Sequence, residues 1–112
     1  MSRLAATLMP ALAASLLIFS ATASFADAID GDWCNADGKR MSIRGPEIVT
    51  PGGKQTRGDY TRHSFAYIVP PGEAGAGDAV QIILRGEYLA QARTGKGEAP
   101  WQDWRRCPAT TS

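Results

Sequence analysis

Residues 56–69 read TRGDYTRHSFAYIV, and the second half of that stretch decides the fold class. From His63 onward the character of the side chains alternates with a period of two. His63, Phe65, Tyr67 and Val69 share one face, and Ser64, Ala66 and Ile68 share the other. An extended strand sends successive side chains to opposite faces, whereas a helix brings them round every three to four residues. The Phe and Tyr face is the one to bury. The stretch is long for a single strand, so a bend or bulge is expected near Gly58 or Thr61.

The same period extends to both sides. Upstream, a first strand at 32–35 leads to Asp37-Gly38, a strong hairpin signal, and then Met41 and Ile43 alternate with Arg40, Ser42 and Arg44. Gly45-Pro46 ends that strand. A further strand at 47–50 stops at Thr50-Pro51-Gly52-Gly53, which fits a type II turn with proline second and glycine third. Downstream, 70–78 (PPGEAGAGD) reads as a glycine-rich connector or mobile tip with little side-chain chemistry. Residues 79–85 turn Val80, Ile82 and Leu84 inward. A weaker strand at 87–93, a loop at 94–100 and a last strand at 101–107 complete the chain. No stretch after Ala28 carries apolar residues at helical spacing over three turns. The expectation is an all-β domain: a small antiparallel meander of about seven short strands, closed into a barrel or flattened barrel so that no edge is left to protect.

The first 26 residues do not belong to that domain. Arg3 stands at the tip, an apolar run follows from Leu4 to Phe19, and the small-residue stretch Ser20-Ala21-Thr22-Ala23-Ser24 comes next. This is the layout of a secretory signal peptide with its helix. Cleavage after Ala23, Ala26 or Ala28 satisfies the small-x-small rule, and Ala26 is favoured, leaving 27–112 as a single disulfide-closed β domain. A retained anchor needs about 20 apolar residues, and this run is shorter and holds Pro10. A lipid anchor needs a cysteine directly after the run, and Cys34 lies well beyond it. No later stretch approaches the length of a membrane span. The expected location is periplasmic or secreted.

Cleavage at Ala26 removes Arg3 and no acid, so 11 basic residues face 11 acidic ones. A nucleic-acid binder would show a basic excess, and none is present. Cys34 and Cys107 sit near the two ends of the mature chain, 73 positions apart. In an oxidising compartment two cysteines read as one bridge. Closing so long a loop is worth about 4 to 5 kcal/mol at most in the chain-entropy picture, a large share of a small domain's stability.

Three tryptophans flank that bridge. By strand parity Trp33 faces away from Cys34 and Trp104 away from Cys107, so both rings are expected on the opposite sheet face, in the core, with Trp101 as the one to watch for exposure. The densest polar stretch is 57–64. Arg57, Asp59, Tyr60, Arg62 and His63, together with Trp101, form the candidate interaction surface, and Asp59 is expected to contact His63 or Arg62. No catalytic residue is assigned: His63 is the single histidine, and Ser64 beside it points to the other face of a strand. Arg57-Gly58-Asp59 spells an integrin-recognition tripeptide, but on a strand entrance rather than a protruding loop. Asn35-Ala36-Asp37-Gly38 fails as a calcium loop, because Trp33 would fall at the first ligand position and Arg44 at the twelfth. No metal and no cofactor is expected.

Gly31-Asp32-Trp33-Cys34, Thr50-Pro51-Gly52-Gly53, Gly58-Asp59-Tyr60 with Arg62-His63, and Trp104-Arg105-Arg106-Cys107 together resemble small exported alphaproteobacterial proteins of unassigned function, across most of the mature chain. The resemblance carries no catalytic residue over. In size, compartment and architecture the chain is also loosely similar to periplasmic inhibitors of C-type lysozyme, which plug the enzyme's cleft with a loop bearing a hydroxyl and a lysine. The tyrosine-rich loop segment with its serine has no match here.

Functionally, the expectation is a non-enzymatic periplasmic binding or interaction protein whose partner is a protein or an envelope component, in a setting of envelope stress or host contact, including virulence. The alternatives are an inhibitor of a hydrolase such as C-type lysozyme, and a small enzyme. Oligomeric state is not legible.

Overall fold

The structure is a computed structural model that describes residues 28–95, 97 and 99–108. The expected signal peptide and its helix lie outside the described residues. Those described form no helix and nine strands: β1 (Gly31–Cys34), β2 (Arg40–Arg44), β3 (Glu47–Val49), β4 (Gln55–Arg57), β5 (Asp59–Thr61), β6 (Ser64–Ile68), β7 (Ala79–Leu84), β8 (Leu89–Thr94) and β9 (Gln102–Arg106). They make one antiparallel sheet in the order β4-β3-β2-β1-β9-β8-β7-β6-β5. Strands consecutive in the chain pair with one another except β4 and β5, and the first and last strands, β1 and β9, also pair, Trp33 opposite Arg106 and Cys34 opposite Arg105.

The two edge strands, β4 and β5, are consecutive in the chain and separated only by Gly58. Gly58 continues the ladder on one side, its N–H donating to the Pro46 carbonyl at 2.9 Å. On the other side it presses on β6, where a Cβ would overlap the Ala66 carbonyl oxygen and the Phe65 ring. The bend at Gly58 therefore brings the sheet's two edges together and nearly closes it into a barrel. The expected all-β meander is what forms, with the bend at one of the two expected positions.

Nine strands stand in place of about seven because the run 56–69 is not one strand. It bends at Gly58 and reverses at Arg62-His63, so that Thr61 pairs with Ser64 and Phe65 with Tyr60. That reversal carries no glycine, proline or asparagine. It is supported instead by the Thr61 hydroxyl, which accepts from the His63 N–H at 3.2 Å.

A second correction concerns Thr50-Pro51-Gly52-Gly53. The Gly53 N–H donates to the Thr50 carbonyl at 2.8 Å, but the positive φ, 95°, falls on Gly53 and not on Gly52. The turn is thus type I followed by a left-handed residue, the usual three-residue hairpin loop, rather than type II. Asn35 to Gly38 builds the same loop, with positive φ on Gly38 and the Asn35 side-chain oxygen accepting from the N–H groups of Asp37 and Lys39.

Alternation along the strands fills the barrel. Trp33, Met41, Ile43, Ile48, Phe65, Tyr67, Val80, Ile82, Ala90, Ala92 and Trp104 are buried, joined by Ile29 and Val69 from the flanking segments. The disulfide Cys34–Cys107 lies where the first and last strands meet, with a Cα–Cα distance of 5.0 Å. Both adjacent tryptophans, Trp33 and Trp104, point away from it into the core, as parity requires. On the outside of β1 and β2, Asp32 accepts from the Ser42 hydroxyl at 2.7 Å and pairs with Arg40 at 2.8 Å and Arg44 at 3.3 Å. The Ser42 hydrogen bond, helped by the two guanidinium groups and opposed by partial burial, holds the Asp32 carboxyl below its ordinary range.

Candidate functional site: one open end of the barrel

The two ends of the barrel are built differently. At one end residues 28–30 fold across the opening. Ile29 is fully buried, its N–H donates to the Arg62 carbonyl at 2.7 Å, and its carbonyl accepts from the Trp33 indole at 2.9 Å. Asp30 ties down the rim: its carboxylate accepts from the Tyr60 hydroxyl and, at 2.8 Å, from the Gly45 N–H. That hydrogen bond, with burial behind it, raises the Tyr60 phenol above its ordinary range. Arg106 completes the plug. Strand parity turns it inward beside Trp104, its guanidinium lies over the Trp33 ring, and it donates to the carbonyls of Asp30, Ala28 and Glu87 at 2.6, 2.9 and 3.0 Å. Burial lowers the guanidinium's pKa, though arginine stays charged in proteins.

The other end is open. The turns 35–39 and 50–54, the connector 70–78 and Ala99-Pro100 before β9 surround a cavity of about 550 Å³. Its apolar walls come from inward residues of β2, β6, β7 and β8: Met41, Tyr67, Val80 and Ala92. Trp104 of β9 lines it too, only 4% exposed, and its buried indole Nε1–H has no hydrogen-bond partner among the described residues. Burial pushes the Tyr67 hydroxyl up to about 12, with the Glu73 carboxylate adding to the shift. Among the described residues, Asp37, Lys39, Glu73 and Arg93 bring two charges of each sign to the rim.

The connector 70–78 is not a free tip. Its backbone is cross-linked to the end of β6, Val69 and Asp78 pairing through a 2.9 Å bond. Glu73 reaches across the mouth to accept from the Thr50 hydroxyl at 2.5 Å, and Gly52 leaves room for it, since a Cβ there would overlap the Glu73 side chain. This contact fixes one side of the rim.

The residues expected to form an interaction surface do not come together as one. Arg57 lies on β4 and pairs with Glu47 at 3.1 Å. Asp59 is exposed on β5, opposite Ala66, and its side chain makes no hydrogen bond or ion pair among the described residues. The expected contact with Arg62 or His63 is therefore not made, because those two form the hairpin turn beyond it. His63 is exposed in that turn. Tyr60 serves the closed end through Asp30. Trp101 is far from all of these, since β9 stands four strands from either sheet edge. Its half-buried ring is covered by Arg93 at 4.1 Å and Arg85 at 5.3 Å. The tripeptide Arg57-Gly58-Asp59 straddles the barrel's bend and does not protrude.

Nothing in the sequence marks Glu73, and Tyr67 and Trp104 read there as core residues, not placed beside an open end. Compared with known proteins, the chain matches no family model, no curated protein and no solved structure.

Proposed function

We propose that this protein is a non-enzymatic binding protein of the periplasm or exterior, and that it receives its ligand, an envelope component, in the open mouth of the barrel. The observation that carries the proposal is the asymmetry of the two ends. One is plugged by residues 28–30 and Arg106 with its polar groups satisfied. The other leads into a cavity of about 550 Å³ where Met41, Tyr67, Val80 and Ala92 stand beside polar side chains such as Asn35, Gln102 and Glu73. Small-molecule sites are concave, mostly apolar, of a few hundred cubic ångströms, and carry a small number of placed polar groups.

The test compares what the oxidised mature protein and its Ala92→Phe variant retain from a periplasmic extract, read by mass spectrometry of the released small molecules. A compound held by the wild type and lost by the variant supports the proposal. Identical profiles from two folded proteins would overturn it.

Inhibition of a hydrolase is the second reading, favoured by the small disulfide-tied barrel. Wall lysis by C-type lysozyme that proceeds undiminished under a stoichiometric excess of the protein rules it out.

A further inference from the structure

We infer that the outer face of β7, β8 and β9 is a docking surface for an acidic protein segment, whose carboxylates the Arg85 and Arg93 guanidinium groups take beside Trp101. The surface lies on the outer wall of the barrel and does not depend on what enters the mouth. Arg93 also stands at the mouth's rim, whereas Arg85 and Trp101 do not line the mouth.

The arginines of the two walls provide the contrast. On the outside of β1 to β4, Arg40 and Arg44 pair with Asp32, and Arg57 pairs with Glu47. At the end of β7 and on β8, Arg85 and Arg93 make no ion pair among the described residues. Each is held instead by a neutral group on the neighbouring strand. The Arg85 Nε–H donates to the Gln91 side-chain oxygen at 3.0 Å, and the Arg93 Nε–H to that of Gln81 at 3.2 Å. Both guanidinium groups lie over the Trp101 ring, at 5.3 and 4.1 Å from its centre. Their terminal N–H groups have no acceptor among the described residues. Charges positioned in this way by uncharged neighbours are preorganised for a carboxylate, which a guanidinium grips with two parallel N–H donors.

The rest of the wall fits a protein better than a small anion. Ile83 and Leu89 share the outward face, half-buried and apart from the core. Ile68, 56% exposed, extends that face onto β6. Asp103 is the one carboxylate on β7, β8 and β9 among the described residues, and it is taken up by Gln91 at 2.8 Å and Arg105 at 3.8 Å. Arg85, Arg93 and Arg105 against Asp103 leave the wall positive in a chain whose formal net charge is only +1. Guanidinium, indole and aliphatic groups side by side make up the cores of protein interfaces, where arginine and tryptophan dominate the binding energy. An acidic segment supplies the opposite charge, and apolar side chains between its carboxylates cover Ile83 and Leu89.

The probe is an acetylated, amidated octapeptide of five glutamates, two leucines and a serine, titrated into the ¹⁵N-labelled, oxidised mature protein. A second peptide carries lysine in place of every glutamate. The expected result is a saturable shift, weakened by added salt, of the Trp101 indole N–H and the Arg85 and Arg93 Nε–H signals, with none from the lysine peptide. Arg85→Gln with Arg93→Gln should weaken binding at least about 10-fold, read from the Trp101 indole. Lys54→Gln with Arg57→Gln removes the same charge from β4 and the turn before it, and should change binding less than about 2-fold. Tetragalacturonate and phosphatidylglycerol vesicles are the competing probes: saturable binding of either at these arginines in preference to the acidic peptide overturns the partner class. Shifts that fall on Met41 and Val80 instead place the peptide in the mouth and overturn the surface, as does the absence of a saturable shift with every probe. Equal weakening by the two double variants reduces the effect to net charge and overturns the surface as well.

Discussion

The Arg106 guanidinium lies 4.1 Å from the centre of the Trp33 ring and closes one end of the barrel. Arg106 comes from the last strand, Trp33 from the first, and two of the carbonyls that Arg106 holds, those of Ala28 and Asp30, belong to the segment preceding the first strand. One side chain thus joins the cation–π contact, the N-terminal plug and the seam between β1 and β9.

Replacing it should cost more than an ordinary surface arginine. Arg106→Met keeps much of the stem but removes the charge and its hydrogen bonds. Charged hydrogen bonds are worth about 1.5 to 3 kcal/mol each and a partly desolvated cation–π contact about 1 to 2, with strong non-additivity. A loss of about 2 to 4 kcal/mol is expected, a drop of roughly 10 to 20 °C in thermal midpoint for a domain of this size. A midpoint within about 3 °C of wild type would show that the plug does not depend on Arg106.

The same contacts restrict where an exported chain begins. Cleavage after Ala28 would remove the carbonyl that Arg106 holds at 2.9 Å and convert the Ile29 N–H, bonded to Arg62 at 2.7 Å, into a charged terminus at a fully buried residue. Cleavage after Ala26 or Ala23 leaves both intact. If the chain is exported and cleaved as proposed, intact-mass measurement of the processed protein should therefore give a chain starting at Asp27 or Ser24. A stable chain starting at Ile29 would contradict this.

The bridge between Cys34 and Cys107 spans 73 positions and ties together the strands whose pairing completes the sheet. Reduction, or Cys34→Ser with Cys107→Ser, frees the unfolded chain without removing a core side chain. The expected loss is at most about 4 to 5 kcal/mol. A version lacking residues 1–26 and made in a reducing host should be markedly less stable than the same chain with the bridge formed. Equal thermal midpoints with and without reductant would show that the bridge does not carry this stability.

Tyr67 gives the stability a direction at high pH. Its phenol rises from the ordinary 10.0 to about 12, chiefly through burial and then through Glu73. The folded chain then binds more protons than the unfolded chain between those two values. This contribution is whole below pH 10 and is lost as the pH climbs through 12, for a total of about 2 to 3 kcal/mol. Tyr67→Phe should flatten the alkaline fall in stability measured by denaturant unfolding. Tyr60, raised by its bond to Asp30, acts in the same direction and leaves part of the slope in place. An identical slope in the variant would rule out Tyr67 as its source.

What could be read in the sequence follows from what each feature needs. Alternation at Met41 and Ile43, at Phe65, Tyr67 and Val69, and at Val80 and Ile82 is a local pattern, and every one of these residues is buried. The bend at Gly58 had a local marker in its glycine. The turn at Arg62-His63 had only the Thr61 hydroxyl, so a hairpin was hidden inside what read as one long strand. The open mouth had no local marker at all. Its lining comes from turns and strands scattered between Asn35 and Trp104, which become neighbours only when the barrel closes. Glu73 sits in a connector whose composition suggested little side-chain chemistry. Trp104 was legible as a core residue, but whether its N–H finds an acceptor depends on partners that sequence does not place.

Gly58 is where closure of the sheet can be tested with one methyl group. Its φ lies outside the left-handed region, so alanine meets no backbone objection there. The obstacle is space, because a Cβ would overlap the Ala66 carbonyl oxygen, which belongs to the β6 ladder, and the buried Phe65 ring. Relief requires β5 and β6 to separate or the bend to open, either of which loosens the meeting of the two edges. Gly58→Ala should therefore destabilise by about 2 to 4 kcal/mol, in the range of overpacked or strained sites. Gly86 is the control: it also lacks a positive φ, and nothing lies within 4 Å of the position of its Cβ. Gly86→Ala should stay within about 1 kcal/mol of wild type, or gain slightly through reduced freedom of the unfolded chain. Equal effects of the two substitutions in denaturant unfolding would show that the crowding at Gly58 is not what holds the edges together.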